Sequence, residues 1–277
     1  MLTNLNIYDI IYALQKTMFY VLQGGSNMSF LFGKKSTSRP SSTVNTGGGE
    51  NSTAKIRLTK AEAGLDRSII RLTKSTGVDL GNHRARVCVV MDRSGSMDSM
   101  YYNGDVQDVL TRLLPLALRF DDNGELEVYV FNTSCDQVSE MTLDNYENYV
   151  ENQILRRSLG PSGGTNYAPA IKQTMKDYND GSPYPAFVIF ITDGANWDRG
   201  DTDRAIRKSS KHKIFYQFVG IGYDDFDYLQ ELDNLDGRAV DNTAFIRVTD
   251  FSQLDDDQLY DKLLEQYPQW LKAMKIN

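Results

Sequence analysis

Val87-Cys88-Val89-Val90-Met91 runs straight into Asp92-Arg93-Ser94-Gly95-Ser96-Met97. An unbroken apolar run has no polar face, so it reads as a strand covered on both sides that ends in a polar loop. Ala186–Ile191 behaves the same way, as does Ile214–Ile221 apart from Gln217. Between these runs, apolar residues recur at helical intervals. In 106–120 they are Val106, Val109, Leu110, Leu113, Leu114 and Leu118, and similar spacing predicts helices over 143–155, 167–178, 202–211, 226–235 and 254–274. Leu126, Val128 and Val130 alternate as in a strand, and 137–140 and 244–248 read as short strands. Buried strands alternating with helices predict an α/β fold, a doubly wound, mostly parallel sheet with helices on both faces. Such sheets bind ligands beyond the carboxyl ends of their strands, where the strand order reverses.

The loops at that edge are rich in oxygen. Asp92, Ser94 and Ser96 follow the first apolar strand, Gly163-Gly164-Thr165-Asn166 precedes a helix, and Thr192-Asp193-Gly194 follows the second apolar strand. Asp92, Ser94, Ser96, Thr165 and Asp193 are the candidate metal ligands. Hard cations take oxygen donors, and magnesium keeps positions open to water or to an outside ligand. Mg2+ is the expected ion, with Mn2+ or Ca2+ as substitutes. Two carboxylates balance a doubly charged ion, while hydroxyls donate weakly. The ion therefore stays electrophilic and should welcome an acidic oxygen from another molecule. Each segment also has an ordinary explanation: Asp and Ser favour turns and helix caps, and Thr165 stands where it would cap the following helix.

Asp92-x-Ser94-x-Ser96, then Thr165, then Asp193-Gly194, resembles the metal-ion-dependent adhesion site of von Willebrand factor A (VWA) domains, over about 84–267. The resemblance implies a Rossmann-like VWA fold in which Ser94 and Ser96 ligate directly, while Thr165 and the two aspartates exchange direct and water-mediated roles. Ser75-Thr-Gly-Val-Asp-Leu80, Arg84-Ala-Arg-Val87 and Met91–Met97 are also similar to the A domains of bacterial tellurium-resistance (TerF/TerY-like) proteins. That narrower likeness implies a cytoplasmic, metal-dependent protein-binding module in a stress or toxic-ion response. Its protein partner would supply a Glu or Asp side chain or a terminal carboxylate.

Outside 84–277 the chain changes character. Residues 1–27 contain a fairly apolar stretch interrupted by Asp9, Gln15 and Lys16, too polar for a membrane span and without a secretion-signal pattern. Two explanations stand side by side: a mis-assigned leader ahead of a true start at Met28, or a native N-terminal segment. Residues 28–54 are Ser-, Thr- and Gly-rich and read as a flexible linker. In 55–83, Ile56-Arg-Leu-Thr-Lys60 recurs as Ile70-Arg-Leu-Thr-Lys74. Its alternation predicts an extended arm or two short strands, similar to the opening strands of a companion domain in the tellurium-resistance proteins.

The formal net charge of −7 argues against a general nucleic-acid binder, and the basic residues from Arg204 to Lys213 read as a solvated helix face. With only Cys88 and Cys135, and only His83 and His212, there is no disulfide framework and no zinc-ligand spacing. Two alternatives to partner capture remain. One is a magnesium-dependent phosphoryl-transfer or hydrolytic enzyme, which lacks a Walker loop, a second aspartate at position 94 and a nearby His base. The other is direct handling of metal ions or oxyanions. Tyr101, Tyr102 and Trp197 are placed to form an aromatic rim, or to be partly buried under the loops. Asp98 is a candidate outer neighbour of the site.

Overall fold

The structure, a computed structural model, describes residues 50–194 and 196–276. The start-site question for 1–27, and the part of the expected linker before Glu50, lie outside the described residues.

The sheet has six strands: β1 (Arg86–Asp92), β2 (Glu127–Phe131), β3 (Cys135–Gln137), β4 (Ala186–Thr192), β5 (Ile214–Ile221) and β6 (Thr243–Val248). Their order is β3-β2-β1-β4-β5-β6, with β3 antiparallel to β2 and every other pairing parallel. Chain order runs outward from β1 to β2 on one side and from β4 to β6 on the other, so the switch point falls between β1 and β4. β4 and β5 are buried along their whole length and β1 nearly so, as their apolar runs require, with Gln217 a buried polar exception in β5.

Alternate β1 residues face separate cores. Val87, Val89 and Met91 pack in one, with α1 (Glu50–Thr76), α3 (Asp105–Phe120), α7 (Asp256–Leu264) and α8 (Tyr267–Ala273). Cys88 and Val90 pack in the other, with α4 (Ala168–Tyr178), α5 (Arg199–Ser209) and α6 (Asp227–Asp233). A short α2 (Asp98–Tyr102) follows the β1 loop. The expected doubly wound α/β class is the observed one.

Residues 50–76 correct the expectation of an extended arm. The fourteen-residue repeat is close to four turns at 3.6 residues each, so it satisfies a helix as well as a strand. Leu58, Ala61, Leu65 and Ile69 form one buried stripe, and this tertiary partner decides the outcome. The stripe lies on α3 and α7, with Arg67 donating to Asp257 at 2.6 Å and Arg71 to Asp261 at 2.8 Å. Gly64 permits the close approach: a Cβ there would stand 2.6 Å from the Asp256 Cβ. The likeness of these repeats to strands of a companion domain therefore does not extend to their structure. The helix starts at Glu50, inside the segment expected to be a linker.

Smaller differences have local causes. The expected helix over 143–155 shrinks to one wide turn, Val150–Leu155, because Asn148 adopts a left-handed φ of 53° and stops the helix in front of it. The strand expected over 137–140 lies at Cys135–Gln137 instead, paired to the end of β2.

Candidate metal centre

Asp92 is the last residue of β1 and is fully buried. Its Oδ1 accepts from the Ser94 amide at 2.7 Å, and its Oδ2 accepts from the Thr192 hydroxyl at 2.6 Å. Ser94 Oγ lies 3.1 Å from Ser96 Oγ, and Ser96 Oγ donates to Asp193 Oδ1 at 2.9 Å. A run of hydroxyls thus links the carboxylates at the ends of two neighbouring strands. Burial raises the Asp92 carboxyl to about 6, against the lowering effect of the Thr192 and Ser94 hydrogen bonds. Burial also raises Asp193, with Asp224 adding to the rise and the Ser96 hydroxyl opposing it. Arg93, in the same loop, is turned away to pair with Asp136.

Thr165 reaches this edge on a loop pinned to both others. Ser162 N donates to Arg93 O at 2.7 Å, Gly95 N to Gly163 O at 3.3 Å, and Trp197 N to Thr165 O at 3.0 Å. Gly163 takes a left-handed φ of 73°, and a Cβ on Gly164 would stand 2.7 Å from the Trp197 ring. The turn and the close approach both require glycine. Thr165, only 8% exposed, does not cap the following helix. Asp198 does so from across the cleft, its Oδ1 and Oδ2 accepting from Tyr167 N and Ala168 N, each at 2.9 Å.

The structure therefore joins Asp92, Ser94, Ser96 and Asp193 in one hydrogen-bonded group and holds the Thr165 loop to it by backbone bonds. Among the described residues no three His, Cys, Asp or Glu side chains converge to hold a metal. The donors here are two carboxylates with hydroxyls. A buried and a half-buried carboxylate, with hydroxyls as their neighbours and, among the described residues, no cationic side chain bonded to them, form a donor set that fits a hard divalent cation. Sequence reasoning missed Thr192, Asp198, and Tyr167, whose hydroxyl donates to Gly194 O. The available signal was a threonine placed directly before Asp193 at a strand end. Of the expected aromatic rim, Tyr101 is instead buried, donating to Asp92 O at 3.0 Å, while Tyr102 and Trp197 are 67% and 79% exposed. Asp98 is exposed in the first turn of α2.

This sheet order, with helices on both faces, is that of a von Willebrand factor A domain. The chain belongs to the vWA family found in the TerF C terminus, whose family model matches residues 84–277. It is 40% identical over 194 residues to the Bacillus subtilis (strain 168) protein named "Uncharacterized protein YcbR", a match covering 69% of this chain and 79% of that one. It is 27% identical to the Arabidopsis thaliana E3 ubiquitin-protein ligase RGLG1, over 42% of this chain but only 28% of that protein. Among solved structures it resembles proximal thread matrix protein 1 of the mussel byssus, a form described as having a zinc-occupied MIDAS motif. The TM-score is 0.50 and the identity 17%, over 67% of this chain and 48% of that one, a likeness of fold alone. VWA domains are a family of protein-interaction modules. Among the described residues no helix is long and apolar enough to cross a membrane.

Proposed function

We propose that this domain captures a protein partner by its carboxylate through a divalent metal, magnesium by default, held by Asp92, Ser94, Ser96, Thr165 and Asp193. The observation that carries this reading is the pair of strand-end carboxylates joined through Ser94 and Ser96 with, among the described residues, no cation paired to them. A bound ion would supply the positive charge that the two aspartates lack and a coordination position for an outside oxygen. Asp92 is oriented by Thr192 and the Ser94 amide, which fixes its carboxylate before any ion arrives. Ser96 is exposed and Asp193 half-buried, so the group opens to solvent where a partner can reach it. The partner would present a Glu or Asp side chain or a terminal carboxylate. Family membership supports placing the module in a cytoplasmic stress or toxic-ion response of the tellurite type.

This is a binding role and not turnover. Of the two histidines, His83 is buried against Tyr267 and Phe120, on the core side away from these loops. The test is affinity capture from the native host with wild type and Asp92→Ala, in magnesium and in chelator. Wild type in magnesium should retain a partner that the other three conditions lose, with all samples equally folded by circular dichroism. Capture that persists in chelator would defeat the proposal.

A further inference from the structure

The described residues expose four aromatic side chains: Tyr102, Tyr184, Trp197 and Tyr223. Tyr184 precedes β4 and lies at the opposite edge of the sheet. The other three come from the end of α2 after β1 and from the loops after β4 and β5, at the edge where Ser96 and Asp193 reach solvent over the buried Asp92. Tyr223 is 83% exposed and Trp197 79%. The Trp197 ring lies against Gly164, and the Tyr102 hydroxyl lies near Gly160, on the loop that carries Thr165. Aromatics displayed around a site are frequent anchors of a protein interface.

Charge decides what such a surface fits. The spans 93–104, 132–134, 159–167, 193–198 and 222–226 carry the carboxylates Asp98, Asp193, Asp198, Asp224 and Asp225 and the cation Arg93, with Arg156, Arg157, Arg199 and Arg247 bordering them. Arg156 pairs with Glu151, Arg199 with Glu231, and Arg247 lies over the Phe226 ring. Arg93 is committed to Asp136, and Asp198 is committed to the amides of Tyr167 and Ala168. A metal ion would balance Asp92 and Asp193. Asp98, Asp224 and Asp225 remain, all exposed, around the point where a partner's carboxylate must arrive. An acidic segment would be repelled there, and a purely apolar one would leave the charges unanswered.

We infer that the partner segment is an acidic residue flanked within a few positions by arginines, whose guanidinium groups lie on Tyr102, Trp197 and Tyr223 and pair with Asp98, Asp224 and Asp225. Guanidinium suits this surface better than ammonium, since it is planar, stacks on aromatic faces and pairs with carboxylates through two parallel bonds. The inference rests on the carboxylate-capture reading and adds the identity of the neighbours.

Three short peptides test it, each with a central Glu, flanked by Arg, by Ala or by Asp, titrated into the 15N-labelled full chain in magnesium and in chelator. The Arg-flanked peptide should bind about tenfold more tightly than the Ala-flanked one, and the Asp-flanked peptide most weakly. That preference should fall towards parity in Tyr223→Ser/Asp225→Asn. It should also weaken with added salt. Magnesium-dependent binding of the Ala-flanked peptide with no gain from arginine would overturn the inference and leave carboxylate capture standing. If no peptide perturbs the spectrum in magnesium at millimolar concentration, carboxylate capture fails and takes the inference with it. Sedimentation showing a dimer in magnesium that dissociates in chelator would put a second copy on this rim, and would also overturn it.

Discussion

At the scale of single residues, the most informative bond is Thr192 Oγ1 to Asp92 Oδ2, 2.6 Å and wholly buried. It ties the end of β4 to the end of β1 and aims a carboxylate that would otherwise rotate. Thr192→Val keeps the shape and deletes the donor. Calorimetric affinity for magnesium or manganese should fall about 10- to 100-fold, as for other groups that orient a ligand. Unchanged affinity would mean Asp92 is not held this way. His83 reports on the opposite end of the molecule. Its Nε2 lies 2.9 Å from the Tyr267 hydroxyl, and burial, with nearby Arg84, lowers its pKa to about 4 from 6.5. Between those values the unfolded chain takes up a proton that the folded chain refuses. This residue's share of stability is therefore full above about pH 6.5 and is lost as pH falls towards 4. The loss is at most on the order of 3 kcal/mol. Urea melts of wild type and His83→Gln at pH 7 and pH 4.5 should show the difference between the two proteins shifting towards the variant at low pH. A pH-independent difference would contradict the burial cause.

Among elements, α1 deserves separation from the rest because it lies before the matched 84–277 region. It packs on α7 through Gly64, where a Cβ would stand 2.6 Å from the Asp256 Cβ, and on α3 through an Arg57–Asp108 ion pair. α3 begins shortly after the Ser94–Ser96 loop, so α1 braces the element that follows the site. Gly64→Leu should wedge α1 from α7. Amide exchange in 50–76 should speed up by orders of magnitude, while the strands stay protected and global stability drops by about 1–3 kcal/mol. Protection unchanged in α1 would show that the close approach is not required. The exposed ion pairs Arg67–Asp257 and Arg71–Asp261 contribute far less than the buried Leu58–Leu65–Ile69 stripe.

Across the whole molecule, a buried carboxylate beside a half-buried one is a standing cost, and an ion that binds only the folded state removes it. Magnesium at about 100 times its dissociation constant should stabilise wild type by roughly 2.7 kcal/mol. Asp92→Asn, of the same shape without the charge, should melt at or above wild type in chelator and gain nothing from magnesium. Equal magnesium gains in both proteins would remove Asp92 from the ligand set.

Much of this architecture was legible in the chain. Val87–Met91, Ala186–Ile191 and Ile214–Ile221 have no polar face and can only be inner strands, and that pattern also located the ligand edge. The oxygen-bearing loops stood in order along it. The arm at 55–83 misled because a fourteen-residue repeat is compatible with both periods, and only the partner surface on α3 and α7 selects the helix. Tyr101 and Trp197 are both large aromatics near the same loops. Which of them faces solvent depends on the neighbours the fold brings to each, the Asp92 carbonyl for one and Gly164 for the other. Local pattern determined which segments are buried and where polar loops fall, because burial is a property of a segment's own periodicity. Tertiary structure alone decided which hydroxyl holds which carboxylate, that Asp198 and not Thr165 caps α4, and which aromatics ring the site. The hydroxyl–carboxylate pairings and the cap depend on contacts between residues about 30 to 100 positions apart.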